Sequence, residues 1–217
     1  SWKLRFHTQT AGCSLTAQQP EINIARTAFQ ALSGVLGGTQ SLHTNSMDET
    51  LALPSEKAAE IALRTQQLIA YETGVANVVD PLGGSWFVEE LTDQLEARAE
   101  KYFEEIGNIG GVIPAIEQGY FQREIARSAS NYQQKVDTKK RIVVGVNKFV
   151  KEDEQIEIPI LKIDGRAGES QRQRLDVIKS SRDESKVQNV LSAIKAACSN
   201  QENLMPLTIE AAKEYAT

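Results

Sequence analysis

Two short polar segments, separated by an amphipathic stretch, form the clearest pattern in this chain. Residues Leu4–Thr10 and Thr39–Asn45 read as strands, but they carry His, Gln, Thr and Asn where a buried strand normally has Val, Ile or Leu. Between them, apolar residues recur at helical spacing from 25 to 36, and a Gly-Gly pair follows. This order of strand, helix and strand predicts a parallel βαβ unit.

The polar side chains of these two segments predict a binding surface. Parallel strands are usually covered on both faces, and a buried polar group without a partner costs about 1–3 kcal/mol. We therefore expect a polar ligand to run along this surface. The side chains concerned are His7, Gln9, Gln40, His43 and Asn45.

The following segments repeat the alternation of strand and helix. A second helix is predicted from Ser55, a residue type that favours the N-cap position, and it ends near Gly74. Val75–Val79 then reads as a third strand, followed by a turn and a long amphipathic helix. Three strand–helix units in succession predict an α/β fold, either a doubly wound sheet or a barrel. Since three strands cannot close a barrel, the barrel alternative makes this chain part of a larger structure.

Beyond residue 110 the pattern changes to short helices and isolated apolar segments. Arg141–Val150 and Ile156–Ile163 are predicted as strands, and the charge run between them is predicted as a solvated loop. Helices are predicted over 112–118, 120–137, 169–183, 184–198 and 204–217. We place the domain boundary in this region, with 1–139 as the main α/β domain and 140–217 as a mixed α/β linker region.

Composition narrows the classes of function. The 217 residues include 29 acidic and 24 basic side chains, a net charge of −5, which argues against a dedicated nucleic-acid-binding protein. No apolar run approaches the roughly 20 residues of a membrane span, so no membrane association is predicted. The two cysteines, Cys13 and Cys198, form neither a disulfide framework nor a metal-ligand spacing. A reducing cytoplasm is the expected compartment, and no metal site is predicted.

Asn45 and Glu49 lie just past the end of the second predicted strand. Binding residues of α/β folds gather at the carboxyl ends of strands, and an amide with a carboxylate suits paired hydrogen bonds to a ribose diol or a similar group. The same loop can equally be an ordinary connection capped by Asx turns. His7 and His43 have no motif that links them to a nucleophile, so scaffold histidines are a simpler interpretation than a catalytic pair.

Several long sequence runs resemble the large, catalytic subunit of the adenosylcobalamin-dependent acyl-CoA mutases, the methylmalonyl-CoA mutase family. The runs are RFHTQTAGCSLTAQQP at 5–20, GGTQSLHTNSMDE at 37–49, ALPSEKAAEIALRTQQLI at 52–69, VVDPLGGSWFVEELT at 78–92, VGVNKF at 144–149 and KSSRDESKVQNVLSAI at 179–194. They are spread over nearly the whole chain, which makes a chance resemblance a poor explanation.

The resemblance implies a (β/α)8 barrel with coenzyme A along its axis. This chain would supply the C-terminal part, about three βα units, followed by the α/β linker region. The activity implied is an isomerase that rearranges the carbon skeleton of an acyl-CoA by radical chemistry, with (R)-methylmalonyl-CoA to succinyl-CoA as the first expectation. Isobutyryl-CoA and 2-hydroxyisobutyryl-CoA are the alternative substrates. A non-catalytic role in assembly, as a scaffold fragment, is an alternative from a different class.

The resemblance also assigns roles to single residues. His7 and Gln9 would face the corrin and the substrate, Gln40 would approach both from the next strand, and Asn45 and Glu49 would hold the adenosyl ribose. The family commonly has an aromatic residue where this chain has Cys13, and Met47 also departs from the family pattern.

The expected partners follow from what the sequence contains. No cobalamin-binding motif, Asp-x-His-x-x-Gly, occurs in it, so adenosylcobalamin is expected mainly on a separate domain or small subunit. The N-terminal half of the barrel is the second expected partner, and the acyl-CoA substrate is the third. We expect this chain by itself to have no mutase activity.

Overall fold

The computed structural model describes residues 4–156 and 158–217. The chain divides into two compact units, Ser1–Leu161 and Lys162–Thr217. The domain boundary predicted between residues 139 and 140 was meant as the end of the barrel, and it stays a prediction. Over the described residues the fold class is α/β, with helices dominating and one small parallel sheet in the first unit.

The predicted parallel βαβ unit is confirmed. Strands β1 (His7–Gln9) and β2 (Ser41–His43) pair in parallel, and helix α1 (Ile22–Leu36) connects them. His7 lies opposite Ser41 in the register. Backbone hydrogen bonds continue past both ends of the pair, since Thr10 N–H donates to the His43 carbonyl at 3.1 Å and Gln40 N–H donates to the Phe6 carbonyl at 3.3 Å. The strands are shorter than predicted, but they occupy the predicted places.

Helix α2 (Glu56–Glu72) follows the expected cap and packs beside α1. The Ser55 hydroxyl oxygen accepts a hydrogen bond from Ala58 N–H at 3.3 Å, which satisfies one of the free N–H groups at the helix start. Ala31 of α1 and Ala58 of α2 are both fully buried, which is consistent with close packing of small side chains. Gly74, with a φ of 73°, adopts the left-handed conformation that ends such helices.

The prediction of a third strand at Val75–Val79 is wrong. Residues Val75–Asn77 form a short 3-10 helix, and Val79 is 95% exposed. A strand exists only when a neighbour pairs with its backbone groups, and no strand of the described residues lies beside this segment. The predicted long helix does form, as α3 (Trp86–Ile109). The third βα unit is therefore a helix without a paired strand.

The segment after α3 is helical and then turns back on itself. Helices α4 (Val112–Glu117) and α5 (Tyr120–Asp137) lie where they were predicted. The predicted strand Arg141–Val150 is wrong, because residues 144–148 form a tight turn around Asn147. Its side chain accepts from Val143 N–H at 2.8 Å and donates to the carbonyls of Val136 and Arg141, both at 2.8 Å.

The segment Ile156–Ile163 also forms no strand at any of its described residues, and residue 157 lies outside them. Pro159 lacks a backbone N–H and so weakens any pairing at this point. The region from 140 onward is therefore helical with extended connections over its described residues, rather than the mixed α/β structure that was predicted.

The second unit consists of three helices, α6 (Gly165–Ser181), α7 (Glu184–Asn200) and α8 (Met205–Lys213). Helices α7 and α8 pack against each other, with Val187 almost completely buried. Arg182 fixes the end of the chain by donating to the Tyr215 carbonyl at 2.8 Å. Among the described residues, no helix combines the length and the apolar character that crossing a membrane requires.

Candidate functional site

The two faces of the β1–β2 pair differ in what covers them. Thr8 and Leu42 point toward α1, since a Cβ placed on Gly34 of that helix would lie 3.3 Å from Thr8 Cγ2 and 3.7 Å from Leu42 Cδ1. Because side chains alternate along a strand, the neighbouring residues project from the opposite face. That face is polar and exposed in this chain, and it carries His7, Gln9, Ser41 and His43.

His7 is held by a residue of the neighbouring strand. Its ring atom Nδ1 lies 2.8 Å from Ser41 Oγ, its partner in the register. The contact restricts ring rotation and leaves Nε2 as the ring nitrogen available to a ligand. His43, two residues beyond Ser41, is also exposed.

Asn45 lies at the centre of the cluster beyond the carboxyl ends of the strands. It is 2% exposed, and its backbone N–H donates to Thr10 Oγ1 at 2.9 Å. Gln9 Nε2 donates to Asn45 Oδ1 at 3.0 Å, so the structure brings these two predicted residues together. The amide nitrogen Nδ2 of Asn45 is buried and has no hydrogen-bond partner among the described residues. Buried polar atoms are normally paired, so this donor makes Asn45 a candidate ligand-binding residue.

Glu49 lies close to this donor across Gly12. A Cβ placed on Gly12 would lie 2.8 Å from Asn45 Nδ2 and 3.7 Å from Glu49 Oε1. The Glu49 side chain is exposed, and it also lines a cavity of about 220 Å³ between the end of β2 and α2, together with His43. A donor and a carboxylate acceptor thus both lie near Gly12, which has no side chain.

Asp48 holds the loop that carries Asn45 and Glu49, and the sequence did not single it out. It is completely buried, and its carboxylate accepts from Ser46 Oγ at 2.6 Å and from Ser55 N–H at 2.9 Å. It therefore connects the end of β2 to the start of α2. The only signal in the sequence was the Asx-type loop before a capped helix, which predicts local hydrogen bonds but not this burial.

A second buried polar residue, Asn23, ties three segments together and was also missed. Its Nδ2 atom donates to the carbonyls of Thr16 at 2.8 Å and Met47 at 3.0 Å, which links α1 to the loops after both strands. Arg26, one turn later, donates to Asn23 Oδ1 and, at 2.6 Å, to the Val144 carbonyl. The turn around residues 144–148 therefore packs against the same end of the βαβ unit as the candidate site.

Gln40 lies apart from this cluster. It precedes the first residue of β2, whereas Asn45 and Glu49 follow the last one. Its Oε1 atom accepts from Phe6 N–H at 2.8 Å, and its Nε2 atom donates to the Gly38 carbonyl at 2.7 Å. The side chain thus completes backbone pairing at the start of the sheet, and the structure does not bring it to Gln9, Asn45 or Glu49.

Comparison with known proteins places this sequence in a family. Residues 1–217 match the family model described as methylmalonyl-CoA mutase. Over its full length the chain is 48% identical to the 2-hydroxyisobutanoyl-CoA mutase large subunit of Aquincola tertiaricarbonis, and it covers 39% of that protein. It is 46% identical to the methylmalonyl-CoA mutase of Rhizobium meliloti and 42% identical to that of Escherichia coli, again over its full length.

The chain covers 31% and 30% of the latter two proteins, so it spans well under half of each of these relatives. The match nevertheless extends over every residue of the chain, including both polar strands and the loop with Asn45 and Glu49. The chain therefore belongs to the methylmalonyl-CoA mutase family.

Proposed function

We propose that this chain forms part of the catalytic subunit of a cobalamin-dependent isomerase that rearranges the carbon skeleton of an acyl-CoA. The observation that carries the proposal is the buried, unpaired donor Asn45 Nδ2 beside Glu49, at the carboxyl end of a polar parallel strand pair. Ligands of parallel α/β folds bind at that end of the strands. Names of the relatives, all acyl-CoA mutases, agree with this class of reaction.

The residues present fit the adenosyl group of adenosylcobalamin. Asn45 offers an N–H donor, Glu49 offers a carboxylate acceptor, and Gly12 beside them has no side chain. We propose that Asn45 and Glu49 hold the hydroxyls of the adenosyl ribose. The cofactor, when bound, supplies the radical chemistry of the rearrangement, and the protein supplies binding, orientation and exclusion of water.

His7 and Gln9 are proposed to face the corrin and the substrate. His7 is oriented for this role by Ser41, and Gln9 is oriented by its hydrogen bond to Asn45. The proposed role of Gln40 requires a change, because its amide is bound to the backbone of Phe6 and Gly38. Gln40 can reach a substrate or the corrin only after those two hydrogen bonds are exchanged.

The polar strand face implies that more structure covers it. We propose that the remaining strands of a (β/α)8 barrel pair beside β1 and β2, so that His7, Gln9, Ser41 and His43 line an interior along which coenzyme A runs. A cobalamin-binding domain or subunit would then cover the end where Asn45 and Glu49 lie. A cytoplasmic location is part of the proposal, since both cysteines are free thiols.

Methylmalonyl-CoA is the substrate that we propose to test first. Isobutyryl-CoA and 2-hydroxyisobutyryl-CoA are the alternatives. The 2-hydroxyisobutanoyl-CoA mutase relative is 48% identical and the methylmalonyl-CoA mutase relative 46% identical, a difference too small to rank the substrates.

The test combines this chain with the remaining barrel strands and a cobalamin-binding protein of the family, and measures turnover of the three acyl-CoA substrates with adenosylcobalamin. Glu49→Ala is expected to lower turnover at least about tenfold, because a hydrogen bond to a charged group contributes about 1.5–3 kcal/mol. Glu72→Ala, at the exposed end of α2, is the matched control and should leave turnover unchanged.

Gln40→Ala is a second variant, but it also removes two hydrogen bonds to the backbone, so its fold must be checked first. The chain alone is expected to show no turnover. Activity of the pure chain would contradict the proposal that other strands complete the site. Assembly without turnover of any substrate would instead support a non-catalytic role.

A further inference from the structure

Asn23, in the first turn of α1, is completely buried and uses every hydrogen-bonding group of its side chain. Its Nδ2 atom donates to the carbonyls of Thr16 and Met47. Its Oδ1 atom accepts from Thr16 N–H at 3.1 Å and from Arg26 Nη1 at 2.8 Å. A shift of this amide would leave a buried polar group unpaired, so the loops after both strands are fixed to α1 at one point.

Arg26 extends this contact to a segment far along the chain. Its Nη2 atom donates to the Val144 carbonyl at 2.6 Å, and its Nη1 atom is shared between Asn23 Oδ1 and Thr16 Oγ1. The guanidinium group is planar and rigid, so its two nitrogens cannot move independently of each other. The position of Val144 and that of Asn23 are therefore linked through one side chain.

The segment 144–154 is also attached to the start of α1 through Gln19. The Nε2 atom of Gln19 donates to the Phe149 carbonyl at 2.9 Å, and its backbone N–H donates to Glu154 Oε1 at 2.6 Å. Gly145 has a φ of 84°, and a Cβ placed on it would lie 3.3 Å from Gln19 Cδ. We call residues 144–154 the docked segment.

A continuous chain of hydrogen bonds joins the docked segment to loop 45–49. It begins at the Val144 carbonyl and passes through Arg26. It continues through Asn23 to the carbonyl of Met47, in the middle of the loop. Hydrogen bonds of one network polarise and orient one another, so a change at one end of this chain should be felt at the other.

We propose that Arg26 and Asn23 are positioning residues through which the docked segment 144–154 sets the position of loop 45–49. The importance of that loop rests on the proposed function, whereas the coupling is a property of this chain alone. The inference gives the segment beyond the α/β unit a part in preparing the candidate site.

The test perturbs the docked segment and measures the loop in the full 217-residue chain. Asn147→Ala removes the side chain that closes the turn and leaves both positioning residues intact. The first readout is the ¹³C resonance of the Met47 carbonyl, which accepts directly from Asn23. The second is hydrogen exchange of Glu49 N–H, which donates to the Ser46 carbonyl at 3.2 Å.

The expected result is non-additive. In the parent background, Asn147→Ala should shift the Met47 carbonyl resonance and raise exchange at Glu49 at least about twofold, the lower end of coupling within one hydrogen-bond network. In the Arg26→Ala background, the same change should have no further effect on either readout. The matched controls are Asn131→Ala and Arg98→Ala, at exposed positions of α5 and α3, and neither should alter the loop.

A second variant and an internal reference separate positioning from loss of the fold. Asn23→Asp keeps both acceptor positions but loses the donor to Met47, so it should also abolish the effect of Asn147→Ala. Exchange at Ala115 N–H, which donates to the Gly111 carbonyl at 3.1 Å in a fully buried part of α4, reports global unfolding. It should stay at the parent rate in every variant compared.

Two outcomes would overturn the inference. One is an Asn147→Ala variant whose loop signals equal those of the parent, and the other is an effect of Asn147→Ala that is equally large with and without Arg26. The cycle contains no ligand, so the proposed function is judged separately. Turnover of the complete assembly without this coupling would refute only the inference, and coupling without turnover would refute only the proposed function.

Discussion

Asp48 offers the sharpest test of how the site is held. Its carboxylate is completely buried and accepts from Ser46 Oγ and from Ser55 N–H, which begins α2. In Asp48→Ala both donors lose their acceptor inside the protein. Hydrogen bonds to charged groups contribute about 1.5–3 kcal/mol, so we expect the start of α2 to lose about that much local stability.

Amide hydrogen exchange measures this loss where it occurs. A loss of about 1.5–3 kcal/mol corresponds to an increase of about 10- to 150-fold in the exchange rate at Ser55 and Ala58. Asp48→Asn keeps one carbonyl acceptor and should fall between the parent and Asp48→Ala. The Asn45 side-chain amide signal should also shift in Asp48→Ala, because the loop between the two residues loses its anchor.

The matched control is Asp93→Ala, at an exposed position of α3, which should leave exchange at both amides unchanged. If Asp48→Ala exchanges at the rate of this control, the Asp48 carboxylate does not hold the loop. The account of how Asn45 and Glu49 are positioned would then be wrong.

Two further predictions concern single contacts. Ser41→Ala should shift the ¹⁵N resonance of His7 Nδ1 more than that of Nε2, since Ser41 contacts Nδ1 alone, and equal shifts of both nitrogens would contradict that contact. The hydrogen bond to Glu105 raises the pKa of Tyr120 from 10.0 to about 12, so the stability that it contributes is complete below pH 10 and is lost as the pH rises through about 12. Glu105→Gln should bring the phenol titration, followed by ultraviolet absorbance, back toward 10, and an unchanged titration would refute the stated cause.

The βαβ unit could be predicted because its signals are local. The strand pattern, the helical spacing of apolar residues and the Ser55 cap each depend on a few neighbouring residues, and the structure confirms all three. The excess of polar residues in the strands also indicated correctly that one face is not an apolar core. His7 and Gln9 are exposed on that face.

The segments at 75–79, at 141–150 and, over its described residues, at 156–163 were mistaken for strands because residue type decided the prediction. Whether a β-favouring segment becomes a strand depends on a neighbour for its backbone, which its own sequence does not contain. In the segment 141–150, no adjacent strand pairs with the backbone among the described residues. Instead, the side chain of Asn147 forms hydrogen bonds with three backbone groups and closes a turn. An Asn in an otherwise apolar run was the available signal.

The candidate site stays a prediction, but the sequence indicates the place of some of its residues. Asn45 and Glu49 could be singled out because they follow a strand, and the hydrogen bond from Gln9 to Asn45 brings two of the predicted residues together. Asp48 and Asn23 could not, since each acts through contacts between segments that are distant along the chain. Gln40 was predicted as a site residue because its amide suits a polar ligand. In the structure, however, that amide forms hydrogen bonds with the backbone.

The failed third strand and the exposed polar face have one explanation under the proposed function. Val79 and Trp86 are 95% and 89% exposed, and under the proposed function a further strand would cover them. A neighbouring strand would give Val75–Val79 the backbone partner it lacks among the described residues and would at the same time cover these side chains. Closing the sheet would also turn His7 and Gln9 inward, where their polarity serves a ligand rather than solvent. The same added strands therefore account for the local failure of the prediction and for the polar composition of the two strands that do form.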